Sequence, residues 1–202
     1  MSSNVLSIKC PSCGAGDLQV RSMMYNVPFF NELAMFSMKC PECGFTHSDV
    51  FSAESRPPMR WTLYVDTAEL LKTRVVRSGS GTVRFPEFGI DIEPGPAAES
   101  YISNVEGVLY RTRPVVESAI RFADKESEKI QGKKVLEMIM AAINGELAFT
   151  IVIEDPMGVS GLLPDDLRLV KREELSVEEA SKLRGAPAWL ETVREDFQER
   201  KG

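Results

Sequence analysis

Cys10-Pro11-Ser12-Cys13-Gly14 and Cys40-Pro41-Glu42-Cys43-Gly44 repeat one short pattern, and together they hold all four cysteines of the chain. Cysteines three apart place two sulfurs on one side of a tight turn, and the glycine after each pair admits the positive φ that closes it. Two such turns facing one another supply four thiolates in a tetrahedron, the donor set of a structural zinc site. Cys10, Cys13, Cys40 and Cys43 are therefore the expected ligands of one Zn(2+) ion. With every coordination position filled by protein, the ion is expected to fold the chain and not to act on a substrate. Two disulfides would require an oxidising compartment, and Met1-Ser2-Ser3-Asn4 does not open a basic-then-apolar leader. A redox CxxC would require a thioredoxin-like βαβ unit around one of the pairs, and the flanking segments do not read that way. The expected location is the cytoplasm.

The chain around the knuckles reads as a zinc ribbon over residues 1–51. Val5–Lys9, Leu18–Val27 and Leu33–Lys39 are expected strands, rich in β-branched, aromatic and methionine residues. Pro28, Phe29 and Phe30 fall at the tip of the hairpin between the second and third. Tips are ordinarily polar, so these three either fold back onto the body or form an apolar anchor for a partner.

Beyond the ribbon, residues 52–172 read as a mainly β domain. Expected strands are Met59–Val65, Leu71–Arg77, Thr82–Phe85, Phe88–Ile92, Leu147–Ile153 and a short one around Leu167–Val170, punctuated by Gly and Pro turns. The hydrophobic period switches to helical between about 103 and 145. Ser103 and Glu106 have capping-box spacing, Val105, Val108, Leu109, Val115 or Val116, Ala119 and Ile120 recur at helical intervals, and Pro114 is expected to kink or restart that helix. A second helix is expected from Glu128 to Ile143, ended by Asn144-Gly145. This makes a helical hairpin inserted between strands. Residues 173–202 are expected to be charged and helical, Ser176 and Glu179 capping one helix, and Ala188, Trp189, Val193 and Phe197 forming an apolar stripe on another.

The formal charge of −6 and pI near 5.0 argue against a general nucleic-acid binder. A locally basic strip, Arg56, Arg60, Lys72, Arg74, Arg77 and Arg84, is expected to be a solvated sheet face or a contact for an acidic partner. Catalytic constellations are scarce. His47 is the one histidine, so a two-histidine metal triad is excluded, and His47 is expected to pack or sit at the surface. Glu154-Asp155 precedes Pro and Gly and reads as a turn. Gly79-Ser80-Gly81 lacks the lysine and helix of a phosphate loop. The chain is expected not to be an enzyme.

The order of a CxxC knuckle, Val-Pro-Phe-Phe and Cys-Pro-Glu-Cys-Gly resembles the Zpr-type zinc-finger family of eukaryotes and archaea. Arg74-Val75-Val76-Arg77-Ser78 and Phe85-Pro86-Glu87 are similar to its strand segments. Asn104-Val105-Glu106-Gly107-Val108-Leu109 is similar to its helix entry, and Phe149–Ser160 resembles its Phe-Thr-Leu…Asp-Pro-Ser-Gly-Asn-Ser signature, with Val159 in place of the Asn. The resemblance implies a zinc ribbon followed by a double-stranded β-helix (jelly-roll-like) domain with a helical hairpin inserted, in the single-module, archaeal-like form. It also implies a partner, the GTPase translation elongation factor that carries aminoacyl-tRNA (elongation factor 1-alpha type), and a role in its folding or assembly. The rival expectation is a ribosome- or RNA-associated zinc-ribbon protein.

Overall fold

The structure, a computed structural model, describes residues 8–27, 31–52, 56–95 and 98–188. Pro28, Phe29 and Phe30 lie outside these residues, as do Trp189, Val193 and Phe197. Three antiparallel strands make the N-terminal sheet: β1 (Gln19–Val27), β2 (Asn31–Lys39) and β3 (Thr46–Ser52), in the order β1-β2-β3. The polar start of β3, Thr46-His47-Ser48-Asp49, hides its strand character in the sequence. Its pairing with β2 supplies what its composition does not. Ile8–Cys10 carries no strand, and the rest of Val5–Lys9 is outside the described residues.

The second unit stacks two sheets. One has the order β10-β5-β8, built from β5 (Arg74–Arg77), β8 (Tyr101–Asn104) and β10 (Gly161–Leu163). The other has the order β11-β4-β9-β6-β7, built from β4 (Met59–Val65), β6 (Thr82–Phe85), β7 (Ile90–Ile92), β9 (Phe149–Asp155) and β11 (Val170–Glu174). Alternation along β4 buries Trp61, Leu63 and Val65 and turns Arg60, Thr62 and Tyr64 outward. Strand β9 sends Phe149, Ile151 and Ile153 to the same core. Phe85, Phe88 and Phe149 form a ring cluster with centroids 5.4 to 5.9 Å apart, a spacing suited to tilted and offset pairs.

Two expected strands are shorter than anticipated and a third is displaced along the chain, because a 3-10 turn precedes each. Leu70–Lys72 precedes β5, Pro86–Phe88 precedes β7, and Leu167–Leu169 precedes β11. Pro86 stands at the first position of its turn, where its fixed φ favours the helical start. Asp166 caps the third by accepting the Arg168 amide at 3.0 Å. The short strands β8 and β10 have too few residues for a period to show.

The helical hairpin is α1 (Val105–Phe122) and α2 (Glu126–Ile143). Helix α1 runs through Pro114, which is exposed, so water reaches the backbone carbonyl left without its amide. Its cap is Asn104, not Ser103: the Asn104 side chain accepts the Gly107 amide at 2.8 Å. A Cβ on Gly107 would stand 2.4 Å from Ser103 Oγ and 2.9 Å from Asn104 Oδ1. The Asn-x-x-Gly spacing is thus one device, an acceptor with room left for it. Val105, Val108 and Leu109 of α1 and Ile139, Ala142 and Ile143 of α2 join the sandwich core. A last short helix, α3 (Val177–Ser181), carries the expected capping box between Ser176 and Glu179. No described helix is long and apolar enough to cross a membrane.

Candidate metal centre

Each knuckle is a turn closed by two backbone hydrogen bonds. Cys10 N–H donates to Ala15 O at 2.7 Å and Gly14 N–H to Cys10 O at 2.8 Å; Cys40 N–H donates to Phe45 O at 2.8 Å and Gly44 N–H to Cys40 O at 3.1 Å. Gly14 and Gly44 take φ of 77° and 73°, where a side chain would be strained. The two turns face each other across the end of the β1-β2-β3 sheet.

All four Sγ atoms lie within 4.8 Å of one another, and the Cys10–Cys43 and Cys13–Cys40 separations are both 3.7 Å. A zinc tetrahedron with arms of ~2.3 Å has edges of about 3.8 Å. The donor set therefore fits zinc in chemistry and in size. As thiols the same sulfurs crowd one another. The Ala15 amide draws the Cys13 thiol down, but contact with Cys43, burial and contact with Cys40 and Cys10 outweigh it and push the thiol up to about 12. Four thiolates this close need a cation between them, and the ion a tetrahedral thiolate set suits is Zn(2+). Cys10 and Cys40 are buried with Leu18, and Ala15, Val20, Met38 and Phe45 pack around them. His47 is not part of the cluster; its ring stacks on Phe45 at 6.5 Å.

The ribbon is joined to the sandwich. Ser100 N–H donates to Ser48 O at 3.0 Å, and Ser100 Oγ donates to Asp49 Oδ1 at 2.6 Å. Leu33 of β2 and Val50 of β3 are fully or almost fully buried in the sandwich core.

Behind this junction lies a polar centre that sequence reading missed. Asp155 is wholly buried and accepts five hydrogen bonds: from Ser78 Oγ (2.8 Å), Ser80 Oγ (2.7 Å), Ser160 Oγ (2.6 Å), Met157 N–H (2.8 Å) and Val159 N–H (3.1 Å). Ser160 Oγ also accepts the Ser78 amide at 2.9 Å. The serines of the 78–81 loop donate to the Asp155 carboxyl group. Recurrence of Ser at 78, 80 and 160 around one Asp-Pro turn was the available signal. Glu154, next in line, is gripped by Arg60 at 2.7 Å and Arg84 at 2.9 Å across the outer sheet face. Both carboxylates of the expected turn are thus engaged.

The basic strip does not form one face. Arg60 and Arg84 converge on Glu154, and Arg84 also pairs with Asp91. Lys72 pairs with Glu69, and Arg77 is buried, donating to the carbonyls of Gly81 and Glu99. Arg74 is exposed at the start of β5.

A four-cysteine ribbon set against a jelly roll with a helical hairpin between its strands defines a zinc-binding protein of two joined units. The chain belongs to the ZPR1 family: residues 4–58 match the ZPR1 zinc-finger domain and residues 69–182 the ZPR1 jelly-roll domain. It is 36% identical to a ZPR1-like protein of Methanocaldococcus jannaschii over 90% of both chains. It is 37% identical to a ZPR1-like protein of Pyrococcus horikoshii, over 88% of this chain and 80% of that one. It is 26% identical to the zinc finger chaperone zpr1 of Schizosaccharomyces pombe, over 76% of this chain but 34% of that protein.

Proposed function

We propose that this protein binds the aminoacyl-tRNA-carrying GTPase elongation factor and assists its folding or assembly, as a binding protein and not an enzyme. The observation that carries the reading is the outer end of the hairpin. Val115 is 68% and Phe122 81% exposed on α1, and Ile130 is 48% exposed on α2. Val115, Ala119 and Phe122 recur at i, i+4 and i+7, a helical stripe that the sandwich does not cover. Apolar side chains held out on a rigid helix suit recognition of a partly folded client, whose own apolar surface is still open. The name of the fission-yeast relative, a zinc finger chaperone, supports the same class of role. Pro28, Phe29 and Phe30 are proposed as a second anchor from the sequence.

Calorimetry with the zinc-loaded chain and the same organism's elongation factor, with GDP and then with a non-hydrolysable GTP analogue, is expected to give submicromolar binding in one nucleotide state. Substituting Val115→Ser with Phe122→Ser is expected to weaken it at least tenfold, about 1.4 kcal/mol, with zinc content and melting temperature unchanged because both side chains face solvent. No binding of the wild-type chain in either state, to native or to refolding factor, would remove this partner.

A further inference from the structure

The ribbon sheet has two edges, and among the described residues only one is tied to the jelly roll. Strand β3 is tied to the jelly roll through Ser48, Asp49 and Ser100. Strand β1 pairs with β2 alone among the described residues, in an unbroken register from Gln19↔Lys39 to Val27↔Asn31. No described residue pairs with its outer row of backbone groups. Edge strands are usually kept from pairing by proline, bulges, short length or several charges. Strand β1 has none of these. It is nine residues long, carries no proline, and has one charged side chain, Arg21. At its centre Met23, Met24 and Tyr25 are 47%, 60% and 37% exposed.

We infer that β1 is the interface of a homodimer, in which two copies of the strand pair antiparallel about a two-fold axis at Met23 and join the two ribbons into one six-stranded sheet. A two-fold axis normal to the sheet keeps odd-numbered side chains on one face and requires self-complementarity of a single patch. Centred on Met23, the pairing sets Arg21 of each copy opposite Tyr25 of the other. Met23 meets its own copy, and Ser22 faces Met24. Directly opposed side chains in an antiparallel pair are in contact distance. The one cation on the strand therefore lands on an aromatic ring, an attractive arrangement, and no like charges oppose. A register centred on Arg21 would instead set the two guanidinium groups against each other. On the Met23 face of the sheet, Leu33 and Met35 of β2 lead into the jelly-roll core. The dimer thus encloses Arg21, Met23 and Tyr25 between the two bodies. Methionine fits such a seam, being unbranched and polarizable and able to contact a ring edge.

The test is sedimentation equilibrium of the zinc-loaded full chain across a concentration series, for wild type, Met23→Glu and Met23→Lys. The expected result is a wild-type dimer, a monomer for each variant alone because like charges meet on the axis, and a dimer restored when the two variants are mixed. Zinc content and melting temperature report that each variant is folded. Hydrogen exchange supplies an independent reading: amides within β1 are expected to become protected as wild-type concentration rises. A wild-type monomer at all concentrations would overturn the inference. So would a dimer that survives in Met23→Glu, or one whose formation leaves β1 amides unprotected. A wild-type monomer whose β1 amides are protected only by an added elongation factor would assign the edge to a different occupant.

Discussion

Removing zinc with a strong chelator is expected to unfold residues 8–52 and, with them, to weaken the jelly roll. The ribbon has little else to hold it. Its own buried cluster is Cys10, Leu18 and Cys40, two of which are ligands. Structural zinc supplies about 10–16 kcal/mol in zinc-finger peptides, far more than this cluster. The effect should not stop at the ribbon, because Leu33 and Val50 sit in the sandwich core. Exposing two such side chains costs about 1.5–3 kcal/mol each, and in a chain of this length each kcal/mol lowers the melting temperature by about 2–4 °C. A fall of roughly 10 °C in the jelly-roll transition is therefore expected, with loss of exchange protection in β1, β2 and β3. Cys40→Ser should behave in the same way. Ligation also requires thiolates, so acid should release the metal before it unfolds the sandwich. A jelly roll that melts at one temperature with and without chelator would show the two units to be energetically separate.

The knuckles were legible because their chemistry is local: spacing, glycine and cysteine count state the site without the fold. Strands β4 and β6 were legible to the residue, since period-2 alternation and flanking turns bound them. The hairpin was legible from its 3.6-residue period, although its cap was misplaced by one residue. Ser103 and Asn104 are both competent caps, and it is the Asn104 side chain that accepts the Gly107 amide, with Gly107 leaving room for both side chains. What stayed hidden depends on partners remote in sequence. Strand β3 is defined by its register with β2, and β8 and β10 by both flanking β5. Ser78 reaches Asp155 across 77 positions. Glu154-Asp155 reads as a turn in the sequence, but both residues close strand β9 and the turn follows at 156–158; nothing local says that it closes on a loop near residue 80. The basic strip misled for the same reason: Arg60 and Arg84 look unpaired until β9 brings Glu154 between them.

Asp155→Ala is expected to be the most destabilising single change outside the metal site. The substitution leaves five donors facing a space with no acceptor. Ser78 and Ser160 are buried with it, and a buried group left without its partner costs about 1–3 kcal/mol. Some hydroxyls will turn to one another, as Ser160 and Ser78 already stand 3.2 Å apart, so a loss of about 4 kcal/mol is a fair sum. Asp155→Asn should cost less. It keeps one carbonyl acceptor, and serine hydroxyls, unlike amide N–H groups, can reverse and accept from its NH2. Ser160→Ala should fall between them, because it removes a donor to Asp155 and also the acceptor of the Ser78 amide. The main-chain amides are what make the carboxylate hard to replace. Met157 and Val159 aim theirs at Asp155 because Pro156 and Gly158 turn the chain around it. Gly158 holds φ of 66°, and a Cβ there would stand 2.2 Å from Pro57 O. Urea unfolding of the three variants at neutral pH checks the order Ala, Ser160→Ala, Asn. If Asp155→Ala costs no more than an ordinary surface change, the loop and turn are held by packing and the hydrogen bonds are incidental. If the order holds, the family signature around residues 154–160 marks a buried carboxyl group that fixes two loops, and its Asp-Pro-x-Gly-x-Ser spacing is the geometry of that ring.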